Sequence, residues 1–216
     1  MTLLLKYIFF VCFIRPIILL VLGLNVRGSE KLPLKGPTIV VANHNSHLDT
    51  MVMMTLFPLA TLPHVRPVAA ADYFLKTKLM AWFSTKIIGI IPLQRKRSKD
   101  GGTLDDRLRG IFDAIEDNKI IILFPEGSRG EPEQLTEFKS GVAYVAEKYP
   151  DVPVVPIFLH GLGKALPKGE ALLVPFFCDV FIGESFRWEG DRERFMSTLQ
   201  DRMGGLAAQG SFPEWS

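Results

Sequence analysis

The sequence of 216 residues has little net charge and only two cysteines. Its 25 Lys and Arg residues nearly balance its 23 Asp and Glu residues, so the formal net charge is +2. Proteins that bind nucleic acid usually carry a marked basic excess, and we therefore expect no nucleic-acid partner. Cys12 and Cys178 form neither a metal-binding spacing nor a disulfide framework, so we expect no metal site.

Several motifs of catalysis and cofactor binding are missing as well. The sequence has no G-x-S-x-G, which excludes the nucleophile elbow of the hydrolases. It has no H-E-x-x-H, C-x-x-C or P-loop. Gly161-Leu162-Gly163 follows an apolar run, but the third glycine of a dinucleotide site is missing and Pro167 would end the helix that such a site needs. We therefore expect no bound cofactor.

Apolar residues are abundant, at 48% of the chain, and residues 1–24 form a nearly continuous run of them. The run is about as long as a spanning helix requires. Lys6 and Arg15 interrupt it, and no small-x-small cleavage site of a signal peptide follows. We predict a membrane anchor over residues 1–31, either a helical hairpin broken at Arg15-Pro16 or a tilted helix in one leaflet, with Arg15 reaching the head groups. A spanning helix and a soluble core helix are the alternatives.

Positively charged residues follow this apolar run directly, at Arg27, Lys31 and Lys35. Basic residues beside an anchor favour the cytoplasmic side of a membrane. We therefore expect a membrane-associated protein on the cytoplasmic face, which is the inner membrane if the protein is bacterial.

From residue 32 onward, apolar runs typical of strands alternate with amphipathic patterns typical of helices. Strands are predicted at 38–42, 64–70, 89–95, 120–124, 152–158, 172–176 and 178–182, and helices at 50–57, 74–88, 103–118, 138–149 and after Asp191. Strands 89–95 and 152–158 contain proline, which places them near an edge of the sheet. The alternation predicts an α/β domain over residues 32–210, with a mixed, largely parallel sheet flanked by helices.

A short polar stretch, Asn43-His44-Asn45-Ser46-His47-Leu48-Asp49, lies between the first of these strands and the next helix. Across such a turn the Asp49 carboxylate can reach one ring nitrogen of His44. That contact fixes the tautomer and leaves the other nitrogen to accept a proton, as a general base does. The alternative is that both residues only cap the helix.

Polar residues also follow two other predicted strands. Arg95 ends one strand, and Glu126 and Arg129 lie in the loop after another. Ligands collect at the carboxyl ends of strands in open α/β sheets, and arginine binds phosphate in a bidentate manner. A base, two phosphate-binding arginines, an anchor and no protein nucleophile predict direct attack of a phosphate-bearing hydroxyl compound on an activated acyl group. The alternative is that the arginines only pair with carboxylates such as Glu126.

Four ordered blocks of the sequence resemble the 1-acylglycerol-3-phosphate acyltransferase family of the glycerophospholipid acyltransferases. The blocks are Asn43 to Asp49 (N-H-x-x-x-x-D), Gly89 to Arg95, Phe124 to Arg129 (F-P-E-G-[ST]-R, followed by Phe138-Lys139-x-Gly141) and Val152 to Pro156. The sequence differs from the family pattern at Pro92, Gln94 and Gly130. The resemblance covers about residues 25–185.

The resemblance implies an enzyme that moves a fatty acyl chain from acyl-CoA or acyl carrier protein to the free hydroxyl of a lysophospholipid. The expected acceptor is 1-acyl-glycerol-3-phosphate, which gives phosphatidic acid. His44 is implied as the base and Asp49 as its partner. The implied substrate-binding residues are Asn43, Arg95, Phe124, Pro125, Glu126, Gly127, Ser128, Arg129 and Lys139. The expected partners are the acceptor, the thioester donor and the membrane, with no cofactor beyond the thioester co-substrate.

Three alternatives stay open at this point. The acceptor could be another lyso-lipid, such as lyso-ornithine lipid. The protein could be a catalytically silent lipid-binding protein of the same fold. It could also be a thioesterase, in which water attacks the acyl group in place of a lipid hydroxyl.

Overall fold

The computed structural model describes residues 1–46, 48–94, 103–128, 135–166, 174 and 176–210. In this part of the chain, the apolar runs form one seven-stranded sheet of order β1-β7-β6-β2-β5-β3-β4. The strands are β1 (Gly23–Arg27), β2 (Thr38–Ala42), β3 (Val65–Ala70), β4 (Ile91–Leu93), β5 (Ile120–Leu123), β6 (Val154–His160) and β7 (Phe177–Ile182). The described pairs are parallel apart from the antiparallel pair of β6 and β7. The predicted α/β fold with a mixed, largely parallel sheet is confirmed.

Helices cover both faces of this sheet. One face carries α6 (Leu104–Glu116), α7 (Gly141–Lys148) and α9 (Arg192–Ala208). The other face carries α1 (Thr2–Phe9), α2 (Arg15–Val21), α3 (Asp49–Leu56), α8 (Leu162–Ala165) and the π-helical turn Phe83–Ile88. The short helices α4 (Ala71–Phe74) and α5 (Lys78–Trp82) lead into that turn, so the helix predicted over 74–88 is divided. Strands β2 and β5 are buried on both faces, which explains their unbroken apolar sequences.

Two of the predicted helix starts, at Thr103 and Asp191, carry capping hydrogen bonds. Thr103 Oγ1 accepts the backbone N–H of Asp106 at 3.2 Å, and the Asp106 carboxylate accepts the N–H of Thr103 at 2.9 Å. This reciprocal pair is a capping box at the start of α6. Asp191 caps α9 by accepting the N–H groups of Glu193 and Arg194. Both predicted helix starts are therefore confirmed.

The N-terminal segment forms one helix, Thr2–Val21, and among the described residues it is the helix long and apolar enough to cross a membrane. It consists of α1, the π-helical turn Phe10–Ile14 and α2. Of the two predicted forms, the hairpin is absent from this stretch and the single helix is present. Pro16 does not break the helix, because it lies in the first turn of α2 behind a π-helical turn that changes the backbone hydrogen-bond register.

The two cations of this N-terminal helix turn towards the domain. Lys6 Nζ donates to the backbone oxygen of Ile88 at 3.1 Å, and Arg15 Nη2 donates to that of Phe57 at 2.6 Å. The expectation that Arg15 reaches the lipid head groups is therefore wrong. The carbonyl at the end of α3 offers the guanidinium a partner that an isolated helix would lack.

Two further sequence predictions need correction. The predicted boundary after residue 31 assigned Gly23–Arg27 to the anchor, but this stretch is the edge strand β1 and pairs with β7. The alternation of apolar and polar residues in β1 is short and follows the long apolar run directly. The strand was therefore assigned to the anchor. Strand β6 was predicted near an edge, yet it lies between β2 and β7. Pro156 is tolerated there because it stands at the end of the ladder with β7, where its oxygen accepts the N–H of Gly183. β4, which contains Pro92, is at the edge as predicted.

Candidate active site

The loops after β2 and β5 meet at the carboxyl edge of the sheet. The two strands are neighbours and run in parallel, with Val41 in register with Leu123. The chain after β2 carries His44, and the chain after β5 carries residues 124–128. Two of the predicted blocks, 82 residues apart at His44 and Glu126, are thereby brought into contact.

A hydrogen bond of 2.8 Å joins His44 Nδ1 to Asp49 Oδ2. The same oxygen accepts the backbone N–H groups of Asn45 and Ser46 at 2.6 and 2.8 Å. Asp49 is the first residue of α3 and is fully buried. Its carboxylate therefore contacts the imidazole and also ties the loop to the start of the helix. The alternative of a helix cap is not what the structure shows, because both N–H groups precede α3 and α3 begins without a side-chain cap.

The hydrogen bonds of Asp49 determine the tautomer of the His44 imidazole. Burial raises the pKa of Asp49, whereas the donors from His44, Ser46 and Asn45 lower it. Because Oδ2 already accepts two backbone N–H groups, it acts as an acceptor towards His44 as well, and Nδ1 carries the proton. Nε2 of His44 is then the nitrogen with a free lone pair, which is the tautomer that a general base requires.

The loop after β5 supports His44 from two sides. The Phe124 ring stacks on the imidazole with 4.4 Å between the ring centroids and 26° between the planes. Glu126 Oε1 accepts the backbone N–H of His44 at 3.3 Å. One contact restricts the ring and the other restricts the main chain, so the position of His44 depends on both loops.

Glu126 places a second carboxyl group beside the histidine. Its side chain is buried, and burial raises the pKa of Glu126 to about 7 against the opposing effect of the His44 N–H. The negative charge of Asp49 acts in the same direction as burial. Near neutral pH this carboxyl group therefore changes its charge readily, next to the imidazole.

Gly127 allows the loop after β5 to turn tightly under Lys139. Its φ is +70°, in the left-handed region, and a Cβ at this position would lie 2.6 Å from Lys139 Nζ. The backbone N–H of Lys139 donates to the oxygen of Pro125 at 2.9 Å. The Lys139 ammonium group lies over the turn, and the side chain is exposed.

Asn43 is buried and makes its contacts with the neighbouring strand. Its Nδ2 donates to the backbone oxygen of Leu159 at 2.8 Å, and its Oδ1 accepts the N–H of Leu159 at 2.7 Å. These contacts hold the loop on β6, and the predicted role of Asn43 in substrate binding stays a prediction. Pro125 is buried in the turn, and Ser128 is exposed at its end.

Arg95 and Arg129, the predicted phosphate-binding residues, lie outside the described residues. Their roles stay predictions.

Ser46 is a supporting residue that sequence reasoning missed. Its Oγ donates to the backbone oxygen of Leu166 at 3.0 Å and accepts the N–H of Leu48 at 3.3 Å. The first bond ties the histidine loop to the chain that follows α8. A serine that accepts an N–H two residues further on is a common turn signal, which could have identified the second bond. No local sequence pattern predicts the bond from Ser46 Oγ to Leu166.

A family model described as Acyltransferase matches residues 23–160 of the chain. The chain belongs to the acyltransferase family. The match begins at β1 and ends with β6, so it contains the loops that carry His44, Asp49 and Glu126. It leaves the N-terminal helix outside.

Curated relatives and a solved structure agree with this membership. The chain is 31% identical over 148 residues to a chloroplast 1-acyl-sn-glycerol-3-phosphate acyltransferase of Arabidopsis thaliana, covering 68% of this chain and 38% of the relative. It is 27% identical over 179 residues to the human 1-acyl-sn-glycerol-3-phosphate acyltransferase alpha, covering 83% and 60%. The chain thus spans about two fifths of the chloroplast protein.

The solved structure is the 1-acyl-sn-glycerophosphate acyltransferase of Thermotoga maritima. It superposes with a TM-score of 0.70 at 23% identity and covers 90% of this chain and 74% of that one. At this identity the likeness shows a shared fold.

Proposed function

We propose that this acyltransferase moves a fatty acyl chain from a thioester to the free hydroxyl of 1-acyl-glycerol-3-phosphate, which yields phosphatidic acid. The observation that carries the proposal is the bond from His44 Nδ1 to the fully buried Asp49, at the sheet edge where ligands of α/β folds bind. The names of the curated relatives support this acceptor.

In the proposed reaction, His44 Nε2 takes the proton of the acceptor hydroxyl as its oxygen attacks the thioester carbonyl carbon. A carbon–oxygen bond forms, the carbon–sulfur bond breaks, and the proton passes from His44 to the leaving thiolate. Asp49 accepts the hydrogen bond from Nδ1–H of His44 throughout the reaction. It stabilises the imidazolium, which exists between the two proton transfers. Phe124 keeps the ring in place.

The acceptor phosphate is proposed to bind at Arg95 and Arg129, and Lys139 is proposed as a third cation for it. Support comes from the Lys139 ammonium group, which lies against Gly127 in the same loop as Glu126. The donor is proposed to be acyl-CoA or acyl carrier protein, and the reaction uses no further cofactor.

The N-terminal helix is proposed to lie in the plane of one leaflet, with the domain on the cytoplasmic face. Phe10, Ile18 and Leu22 of this segment are buried in the core, whereas Leu4 and Leu20 are exposed. A helix packed along the domain in this way presents one apolar side to lipid, as interfacial helices do. It could not cross a bilayer alone without separating from the sheet.

The test is an assay of purified full-length protein in mixed lipid vesicles. Labelled acyl-CoA and acyl carrier protein are offered in turn with 1-acyl-glycerol-3-phosphate, lyso-ornithine lipid or no acceptor. We expect labelled phosphatidic acid with the first acceptor and little free fatty acid without any. Equal release of fatty acid in the absence of acceptor would identify a thioesterase, and preference for lyso-ornithine lipid would overturn the proposed acceptor.

A further inference from the structure

The α4–α5 segment, residues 71–82, exposes a cluster of large apolar side chains. Leu79 is 75% exposed and Trp82 is 41% exposed, and Tyr73, Leu75 and Met80 are exposed as well. Single exposed apolar residues are ordinary on protein surfaces, but a cluster of this kind marks a contact with a partner or with lipid. The acyl-transfer site uses none of these side chains.

This cluster is continuous with the apolar side of the N-terminal helix. Phe83 follows directly after α5, and its ring meets that of Phe9 edge to face, with 5.0 Å between centroids. Phe9 in turn stacks with Phe13, which is exposed. The outward side of the helix extends from there to Leu20, which is 85% exposed. The two exposed surfaces therefore form one apolar surface joined through three aromatic rings.

The charges around the α4–α5 segment fit a lipid partner of negative charge. Residues 71–88 contain Lys76, Lys78 and Lys86 against a single acidic residue, Asp72. All three lysines are exposed, and Lys76 Nζ lies 5.3 Å from the centroid of the Tyr73 ring. Aromatic rings and lysines side by side are typical of the interface between hydrocarbon and head groups, where lysines are attracted to anionic lipids.

The position of the segment relates it to the candidate active site. Helix α4 begins directly after β3 ends at Ala70, and β3 is parallel to β5. The start of the segment therefore lies at the same edge of the sheet as the loops that carry His44 and Glu126. A contact with lipid at this position brings that edge to the level of the head groups, where the phosphate of a membrane-borne acceptor lies.

We propose that the α4–α5 segment is a second lipid-contacting surface, which rests in the head-group region of an anionic bilayer beside the N-terminal helix. The inference depends on the proposed in-plane position of that helix and is independent of the proposed reaction. The partner is the bilayer surface itself, in which apolar chains receive Leu79 and Trp82 while anionic head groups receive the lysines.

The natural tryptophans provide the test. Trp188→Phe with Trp215→Phe leaves Trp82 as the single tryptophan of the full-length chain. Trp82→Phe with Trp215→Phe leaves Trp188, which packs against Phe195 on the opposite face of the sheet. A third variant replaces all three tryptophans by phenylalanine and adds Leu20→Trp on the N-terminal helix. Each is bound to phosphatidylcholine–phosphatidylglycerol vesicles whose lipids carry bromine near the head groups or near the chain ends, and thermal unfolding confirms the fold.

We expect bromine near the head groups to quench Trp82 as strongly as the tryptophan of Leu20→Trp, and to leave Trp188 unquenched. Quenching at Leu20→Trp without quenching at Trp82 would overturn the second surface and keep the in-plane helix. Absence of quenching at both positions would overturn both proposals, whatever the outcome of the acyl-transfer assay. Trp188 quenched as strongly as Trp82 would show non-specific adsorption and would also overturn the proposal.

The choice of an anionic partner has its own test. In the Trp82 variant, Lys76→Gln with Lys78→Gln should reduce quenching in vesicles that contain phosphatidylglycerol, to the level seen with phosphatidylcholine alone. Each lysine near an anionic surface contributes about fivefold in partitioning. Lys35→Gln with Lys119→Gln, which removes two charges near the opposite edge of the sheet, is the matched control. Equal quenching in both double variants would overturn the role of the lysines.

Discussion

The side-chain amide of Asn43 pairs with the backbone of Leu159 as a strand residue would, one position after β2 has ended. Both bonds are short, at 2.7 and 2.8 Å, and both ends of the amide are used. Because the side chain makes these bonds, the main chain can turn away from the sheet at His44. The Asn43 side chain keeps the loop attached to β6. The side chain of Asn43 thus fixes the position of the backbone next to His44, the candidate base.

Asn43→Ala should destabilise the protein strongly. The variant leaves a buried N–H and a buried carbonyl of Leu159 without partners, and each unsatisfied group costs about 1–3 kcal/mol. For a chain of this size, a loss of 1 kcal/mol lowers the melting temperature by roughly 2–4 °C. Asn25→Ala is the control, because Asn25 is exposed and bonds to Asp179. Similar melting temperatures for both variants would show that the Leu159 contacts contribute little.

His44→Ala should lower the rate of acyl transfer by at least the roughly 10²–10⁴-fold typical of a general base. The melting temperature should change little, since the ring is partly exposed. His64→Ala, which alters an exposed histidine, should leave the rate unchanged. Turnover of the His44→Ala protein near that of the unaltered protein would refute the assignment of the base.

Asp49→Asn tests whether the two residues act as a unit. The amide can no longer stabilise the imidazolium, so we expect a large loss in rate, and the double variant with His44→Ala should be little slower than His44→Ala alone. The measurement is a double-mutant cycle on kcat/KM. Fully additive losses would indicate that Asp49 acts on folding or on substrate rather than through His44.

Glu126→Gln should stabilise the protein at high pH and not at low pH. The folded protein raises the pKa of Glu126 from its ordinary 4.5 to about 7. Below the lower value the carboxyl is neutral in both states; between the two values the unfolded chain loses its proton first, so stability falls as pH rises. The variant avoids this penalty, and its melting temperature should exceed that of the unaltered protein at about pH 8 and converge with it at about pH 4.

Glu137→Gln, which changes an exposed carboxylate before α7, is the control for this pH series. A constant difference between Glu126→Gln and the unaltered protein across the whole range would show that folding does not shift the pKa of the Glu126 carboxyl group.

Arg95→Lys and Arg129→Lys should impair acceptor use and spare donor use. Lysine keeps the charge but loses the planar fork that binds phosphate with two bonds. Loss of a charge-assisted contact costs about 1.5–3 kcal/mol, or roughly ten- to a hundredfold in the acceptor kcat/KM. Steady-state kinetics with each substrate varied in turn make the measurement, and Arg109→Lys is the control on the exposed side of α6. A lowered melting temperature with unchanged acceptor kinetics would assign the arginines a structural role.

The parts of the fold that sequence reasoning predicted well are those with a strong local signal. Strands β2 and β5 are buried on both faces and therefore consist of apolar runs, and the caps at Thr103 and Asp191 are local hydrogen bonds. The contact between His44 and Asp49 is similarly local, since the two residues are five positions apart in the sequence.

The parts that sequence reasoning missed depend on distances that arise only in the folded chain. The bond from the His44 N–H to Glu126 joins loops whose separation no sequence pattern encodes. Arg15 was assigned to lipid because a cation in an apolar helix normally turns to head groups, but here packing brings the carbonyl of Phe57 within reach. Both errors came from treating a segment by itself.

A single residue, Leu22, separates the end of the N-terminal helix at Val21 from the start of β1 at Gly23. If the protein lies in one leaflet as proposed, this junction contains no flexible linker. The domain therefore cannot move into the aqueous phase while the helix stays in the membrane. The enzyme would meet its lipid substrate by lateral diffusion of the whole body. Its turnover should then follow the mole fraction of acceptor in the leaflet and should fall when inert lipid dilutes that leaflet at constant bulk concentration.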